Sequence, residues 1–322
     1  MGSARASCGW PLIQVAEITP VFLMSLPRSG STLAQRVLAS HDLISTTSEP
    51  WLLLPVLSGL EEGMCKTLYD QRLLRQALID LCEGLPDGLG SYEKAVRAFA
   101  KEIYSAAMQG SAAKYFVDKT PRYHLIAHRI LEAFPEGKFI FLWRNPLAAF
   151  GSRIHSYGGV WRAHYYQVDL FDGLENLLRV YEKYSDRICA IRFEDMVSQP
   201  EQVFESVFKY LDLPFNSECL NSFSSVPLKG SLGDKAGVRD YSVVTDRPLE
   251  KWKETLASPV RKVWCRRYLH WIGEDRLKTM GYSMEEMLDQ LDRIPSRWRS
   301  VPNDALRLLY SRWLMWRTSG YL

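Results

Sequence analysis

The sequence predicts an α/β domain over residues 15–290, a central parallel sheet flanked by helices, with a helical extension over 291–322. Three observations predict it. Short apolar runs alternate along the chain with segments whose apolar residues recur every three or four positions. Those runs are apolar at consecutive positions, as strands covered on both faces must be. The first run ends in a proline- and glycine-bearing turn that leads straight into a helical pattern.

Each element follows from local chemistry. Pro20–Ser25 (PVFLMS) reads as a buried strand, stopped by Pro27 and Gly30, with a helix from about Ser31 to Ser40. Leu68–Glu83 has apolar residues at 68, 73, 74, 77, 78 and 81, which is helical spacing. Tyr92–Met108 repeats it with Ala95, Val96, Phe99, Ile103 and Ala107. Tyr115–Val117 and Phe139–Trp143 are predicted strands, and Ile130–Phe134 closes a helix between them, stopped by Pro135. Leu174–Tyr184 is predicted helical and Cys189–Phe193 a strand. Pro200–Leu213 is predicted as a helix, with Pro200 suited to its first turn. Val260–Ile272 and Ser283–Ile294 are further helices, the second opened by a capping box from Ser283 to Glu286.

The chain has 322 residues, 47% hydrophobic and 24% charged, which excludes disordered, collagen-like and coiled-coil classes. No stretch free of Asp, Glu, Lys and Arg exceeds 11 residues, as in Pro50–Leu60, whereas a membrane span needs about 20 apolar residues. Arg5, Pro11, Gln14 and Glu17 make a poor signal peptide. Six cysteines lie at 8, 65, 82, 189, 219 and 265 without a CxxC pair, so reduced thiols in a cytoplasmic protein are expected. No HExxH motif occurs, and no metal is expected. The net charge is +3, but residues 291–322 hold six Arg against Asp292 and Asp304. A nucleic-acid binder would carry a broader basic face, so no nucleic-acid partner is expected.

The chemistry-bearing signal is Leu26-Pro27-Arg28-Ser29-Gly30-Ser31-Thr32-Leu33. It follows a strand and opens a helix, whose first amides lack internal partners and carry the positive end of the dipole. An anion is favoured there, and Arg28 adds a forked cation. This is a P-loop-like position without the Lys of GxxxxGK[ST], which disfavours an ATPase or kinase. Alone it is also readable as a tight strand–helix turn, the less favoured of the two readings. A second signal, Arg144-Asn145-Pro146 with Ser152 eight residues after Arg144, again follows a strand, at the carboxyl edge where open α/β sheets bind ligands.

Together the two elements resemble the sulfotransferase family that uses 3′-phosphoadenosine-5′-phosphosulfate (PAPS), and in particular its bacterial and tyrosylprotein-type branch, with Arg in the loop. The resemblance covers roughly residues 20–290. It implies that Arg28, Ser29, Gly30, Ser31, Thr32 and Leu33 hold the 5′-phosphosulfate, while Arg144 and Ser152 hold the 3′-phosphate. It implies a general-base role for Glu49, 21 residues after Arg28, which is otherwise readable as a helix N-terminal acid. Lys119, in Asp118-Lys119-Thr120-Pro121-Arg122, is implied to meet the leaving group; otherwise it is a solvated strand-end Lys. In Ile191-Arg192-Phe193-Glu194-Asp195 the resemblance places an aromatic near adenine; Phe193 stands where the family has Tyr, and plain core is the other reading. Lys251, beside Trp252, matches the family's closing basic residue best, with Lys235 and Arg239 weaker matches. The product nucleotide would be 3′-phosphoadenosine-5′-phosphate, and no metal would be needed.

Ile154–Phe171 gathers His155, Tyr157, Trp161, His164, Tyr165, Tyr166 and Phe171 around Gly158-Gly159, which reads either as an acceptor pocket or lid or as core. Residues 303–317 carry Leu306, Leu309, Tyr310, Trp313, Leu314 and Trp316 with three Arg. They fit a membrane surface or a partner, or a helix docked on the body. The acceptor stays open among a small molecule, a glycan and a peptide. The competing classes are a nucleotide or metabolite kinase, a non-catalytic nucleotide-binding module, and a membrane-surface module.

Overall fold

A computed structural model describes residues 18–61, 71–230, 232 and 250–319, with Lys251 and 315–319 described by their backbone alone. Five strands form one sheet: β1 (Thr19–Ser25), β2 (Ile44–Thr46), β3 (Tyr115–Asp118), β4 (Lys138–Trp143) and β5 (Ile188–Arg192), in the order β2-β3-β1-β4-β5. All four pairings are parallel, so every strand ends on the same edge of the sheet. Side chains alternate across β1 with the strand period of two. Val21 and Leu23 enter one core with Val117, Ile140, Leu142 and Ile191. Phe22 and Met24 enter the other with Phe116, Phe139 and Phe141. Burial on both faces explains the unbroken apolar runs, each large side chain contributing roughly 1.5–3 kcal/mol.

The helices that cover the sheet are α1 (Ser31–Ala39), α2 (Gln71–Glu83), α3 (Leu89–Ala107), α4 (Ala127–Ala133), α5 (Pro146–Ser156), α6 (Ala163–Gln167), α7 (Leu174–Tyr184), α8 (Phe193–Ser198) and α9 (Pro200–Tyr210). After the segment 233–249 follow α10 (Lys251–Thr255), α11 (Pro259–Ile272), α12 (Glu274–Thr279), α13 (Met284–Arg293) and α14 (Val301–Ser319). The predicted helix from Leu68 is described from Gln71 onward. Ser283 caps α13 by accepting from the Glu286 amide at 3.4 Å, as its capping box requires.

Two local readings change. The strand predicted to reach Phe193 stops at Arg192, and Phe193 opens α8, whose first turn holds Glu194 and Asp195 at the positive end of the dipole. In Ile154–Phe171, Trp161 and Tyr166 are buried core; Trp161 meets Phe150 and Trp264 edge-on, and Tyr166 meets Phe150 the same way. Tyr165 is half exposed.

The C-terminal helix α14 docks on the body against α6 and α11. Its anchor is ionic. Arg261 on α11 donates from Nη2 to Asp304 Oδ1 at 2.7 Å and from Nε to Oδ2 at 3.0 Å, with Asp304 fully buried. The same guanidinium reaches the carbonyls of Thr255 and Gly159. Among the described residues no helix is long and apolar enough to cross a membrane.

Candidate active site

Because the sheet is parallel, the segments that follow all five strands gather at its carboxyl edge, and they carry the residues singled out from the sequence. After β1 the chain turns through Arg28 at φ 70 and Gly30 at φ 88. Both are left-handed, which costs a non-glycine residue about 1–2 kcal/mol, so the strain at Arg28 is held by its surroundings. Gly30 is obligatory twice over: its φ is left-handed, and an added Cβ would lie 2.3 Å from the Phe193 ring. Helix α1 starts at Ser31 with no acidic residue in its first turn and no side-chain cap from Gly30. Leu33 and Ala34 already donate to the Gly30 carbonyl. The preceding amides of Ser31 and Thr32 stand at the helix start, where intrahelical acceptors run out.

Strand β4 delivers Arg144, and α5 delivers Ser152. The helix is fixed by Asn145, whose Oδ1 accepts from the amides of Leu147 and Ala148, with Pro146 in the first turn. Arg144 Nη1 donates to the Arg28 carbonyl at 2.6 Å, and Arg28 Nε donates to Ser152 Oγ at 3.4 Å. The Arg144 guanidinium lies 4.2 Å from the Phe193 ring centroid. Arg28, Gly30, Arg144, Ser152 and Phe193 therefore form one contiguous group. Phe193 is 3% exposed, wedged between Gly30 and Arg144, which makes it a platform for the guanidinium.

The supports of this group carry no motif in the sequence. Glu194 accepts from the Asn145 amide through Oε1 and from the Tyr282 hydroxyl through Oε2, tying α8, α5 and the segment before α13. The Asn-Pro pair was the available signal for a capped helix at 146; nothing local marks Tyr282. Gly151, beside Ser152, lets α10 pack closely: a Cβ there would meet Trp252 Cβ at 2.9 Å. Lys251 thus begins a helix whose next residue touches α5, while its side chain, together with Lys235 and Arg239, lies outside the described residues.

Glu49 and Lys119, 70 positions apart, meet after β2 and β3. Lys119 Nζ donates to Glu49 Oε1 at 2.7 Å, and Trp51 Nε1 donates to Oε2 at 3.3 Å. The pair's side chains are 3% and 11% exposed, so Lys119 is not a solvated strand-end residue. Two sets of hydrogen bonds hold the segment. Gln35 on α1 donates to Thr46 Oγ1 and to the carbonyls of Thr47 and Ser48. Thr120 Oγ1 and the Tyr123 hydroxyl accept from the amides of Trp51 and Leu53. Both hydroxyls donate in turn to Asp118, which also takes the Tyr104 hydroxyl at 2.6 Å. Asp118 is fully buried, and desolvation pushes its carboxyl up to about 6 against these bonds. Trp51, at φ 54, is a second strained non-glycine residue in the site.

A further cluster adjoins Lys119 in sequence. Asp169 accepts from Arg122, Arg153 and His124, at 3.2, 3.2 and 3.1 Å. Although burial opposes it, this hydrogen bonding holds the Asp169 carboxyl below its ordinary range, while burial holds the His124 imidazolium down. Among the described residues no group of His, Cys, Asp and Glu is arranged to hold a metal ion.

The fold and this edge define an α/β protein with a glycine-bearing strand–helix loop and a carboxylate–amine pair at the carboxyl edge of a parallel sheet. Residues 20–217 match the profile of the "Sulfotransferase family", and the chain belongs to that family. It is similar to the nodulation protein NoeE of Sinorhizobium fredii, 32% identical over 42% of this chain and 31% of that protein. It is also similar to the protein-tyrosine sulfotransferase of Drosophila melanogaster, 25% identical over 73% of this chain and 47% of that one. The chain spans about a third to a half of the length of these relatives. Its fold matches the sulfotransferase domain of the curacin biosynthetic pathway, with TM-score 0.51 and 22% identity over 83% of this chain and 98% of that one. It matches the sulfotransferase domain of the Synechococcus PCC 7002 olefin synthase with TM-score 0.50 and 24% identity, over 74% and 88%.

Proposed function

We propose that this protein is an enzyme that transfers a sulfonate group from PAPS to a hydroxyl or amine of an acceptor, a small molecule or glycan, with Glu49 as general base. The observation that carries the reading is the meeting of Glu49 and Lys119 at the strand edge that also holds the Arg28 loop. The donor set fits the nucleotide: a helix start without acidic residues, two arginines in contact through Arg28, and the Ser152 hydroxyl suit an anion at each end. PAPS would supply an activated sulfonate whose S–O bond to the phosphate breaks as the acceptor's bond to sulfur forms.

The chain's own residues then have distinct tasks. Glu49 takes the acceptor's proton; its second oxygen is held by Trp51, which fixes the carboxylate's direction. Lys119, Arg28 and the first amides of α1 stabilise the negative charge that gathers on the departing phosphate oxygen. Arg144 and Ser152 bind the remote phosphate and select a bisphosphate nucleotide over AMP or ATP. Lys251 is our choice for a closing cation, with Lys235 as the alternative. Free thiols at Cys82, Cys189, Cys219 and Cys265 support a reducing cytoplasmic location, in peripheral contact with a membrane through residues 303–317. An acceptor screen with labelled PAPS, read by mass gain of sulfonate, tests the reading. Transfer to at least one hydroxyl or amine acceptor is expected; transfer of phosphate from ATP instead would replace it with the kinase reading.

A further inference from the structure

Among the described residues, one side of helix α14 packs on the body and the other exposes an apolar stripe, of which Tyr310 also meets the His164 ring edge-on. At 100° per residue, Val301, Asp304, Leu308 and Ser311 share the side that packs inward, with Asp304 and Ser311 buried. Ser311 Oγ lies 3.0 Å from His164 Nδ1 on the docked side. Leu306, Leu309, Tyr310 and Trp313 follow the i, i+3, i+4, i+7 spacing on the opposite side, and they are 71%, 67%, 54% and 47% exposed. Arg307 and Arg312 fall on the two flanks, each about 110° from the centre of that stripe. Trp298, 71% exposed, continues the face just before the helix, between Arg297 and Arg299.

We propose that this outer face of α14 seats on the anionic headgroup surface of a lipid bilayer, with Leu306, Leu309 and the aromatic rings at the acyl boundary and the arginines on phosphates. This deepens the peripheral-contact part of the proposed function by naming the face and the lipid; it does not depend on sulfonate transfer. Charge complementarity selects the occupant. From Arg293 to Leu314 the acid is Asp304, and it is buried and neutralised by Arg261. Within residues 293–314 the face therefore carries cations and apolar surface, and Arg297 also meets the exposed Glu254 carboxylate of α10 at 3.8 Å. A second copy in two-fold contact would set Arg299, Arg307 and Arg312 against their own counterparts, an excess of cations that the Glu254 carboxylate beside Arg297 does not balance. Trp and Tyr rings flanked by Arg suit the headgroup level, where an amphipathic stem reaches apolar chains and its head meets phosphate. The bilayer reading also accounts for the docking: the Arg261–Asp304 pair holds the helix fixed, so the stripe is presented as a rigid edge.

Co-sedimentation of the full chain with vesicles tests it. Binding is expected to vesicles of phosphatidylcholine mixed with phosphatidylglycerol, weakening as salt rises, and to be much weaker with phosphatidylcholine alone. Each arginine near an anionic surface is worth about fivefold in partitioning, so Arg307→Glu with Arg312→Glu should lower it by tenfold or more. Leu306→Ser with Leu309→Ser should lower it as well, while its thermal melting stays near wild type because the two leucines are 71% and 67% exposed. Equal binding to neutral and anionic vesicles, or undiminished binding by both variants, overturns the proposal. So does a full chain that self-associates through this face and ignores vesicles. Sulfonate transfer measured on the same samples is independent of either result.

Discussion

The Arg28–Leu33 loop and the Glu49–Leu53 segment serve the same edge of the sheet, but they are assembled in opposite ways. The loop is local: a strand end, two left-handed residues and a helix start lie within a few positions, and the main chain itself supplies the donors. The Glu49 segment is non-local. It follows a three-residue strand and is pinned by Gln35 from one side and by Thr120 and Tyr123 from the other, with Asp118 behind them. A helix start whose donors are main-chain amides depends on local backbone shape, as at Gly30, whereas the Glu49 carboxylate depends on Lys119, a partner far away in sequence. Substitutions in the second region should therefore alter turnover, and those around the first should alter nucleotide affinity.

The largest effect should come from Glu49→Gln. It keeps shape and hydrogen bonding but removes basicity, and turnover should fall about 10²–10⁴-fold. Calorimetry on the same protein should find nucleotide affinity close to wild type. Near-normal turnover would pass the base role to another group, with His155 and His164 next to be tried.

Arg144→Ala should weaken binding of 3′-phosphoadenosine-5′-phosphate by roughly 2–5 kcal/mol, the cost of losing a buried charge-assisted contact. AMP, which lacks the remote phosphate, should lose less. Titrations of both nucleotides into both proteins give the comparison, and equal affinity of the wild type for the two would break the assignment of Arg144 and Ser152.

Asp118 predicts a pH effect whose sign is fixed. Its folded value of about 6 lies above the ordinary 3.8, so its stabilising contribution is complete below 3.8 and is lost as pH rises through 6. The loss is at most about 3 kcal/mol. Asp118→Asn lacks this titration, so its stability relative to wild type should rise between about pH 4 and 7. Denaturant melts across that range read the difference, and a constant gap between the two proteins would show that Asp118 is ionised in both states. The smallest expected effect is that of EDTA: activity should be unchanged, and an activity lost to chelation and restored by Mg²⁺ would revive the kinase alternative.

The same contrast explains what was legible in the sequence. Strands β1, β3 and β4 could be read because burial on both faces writes a continuous apolar run. The Arg28 loop could be read because its chemistry is contiguous. Arg144 and Ser152 sit on one strand–helix junction, but alone the spacing reads as a surface Arg capping a strand end, and their phosphate role is an implication of the resemblance. The strand Ile44–Thr46 was not, being three residues with two hydroxyls, one of which, Thr46, is paired with Gln35 and the Val117 carbonyl. Phe193 was misplaced by one element because a strand end and a helix start share an apolar residue. Glu49 and Lys119 were identified by resemblance, and their contact across 70 positions has no local signature. Asp118, Tyr104, Tyr123 and Asp169 gave no signal at all, since a buried polar network is specified by partners that only the fold assembles.

One side chain, Arg261, decides where this polypeptide can be cut. Its guanidinium is shared among Asp304, the Thr255 carbonyl at the end of α10 and the Gly159 carbonyl just beyond α5. A chain shortened before Asp304 would leave a buried cation without its counter-charge, against the turn that follows the Ser152 helix. For such pairs, loss of one partner typically costs about 3–5 kcal/mol. The C-terminal helix thus supplies the counter-charge that ties α11 to the turn after α5, and trimming it removes a tie that reaches well beyond the helix itself.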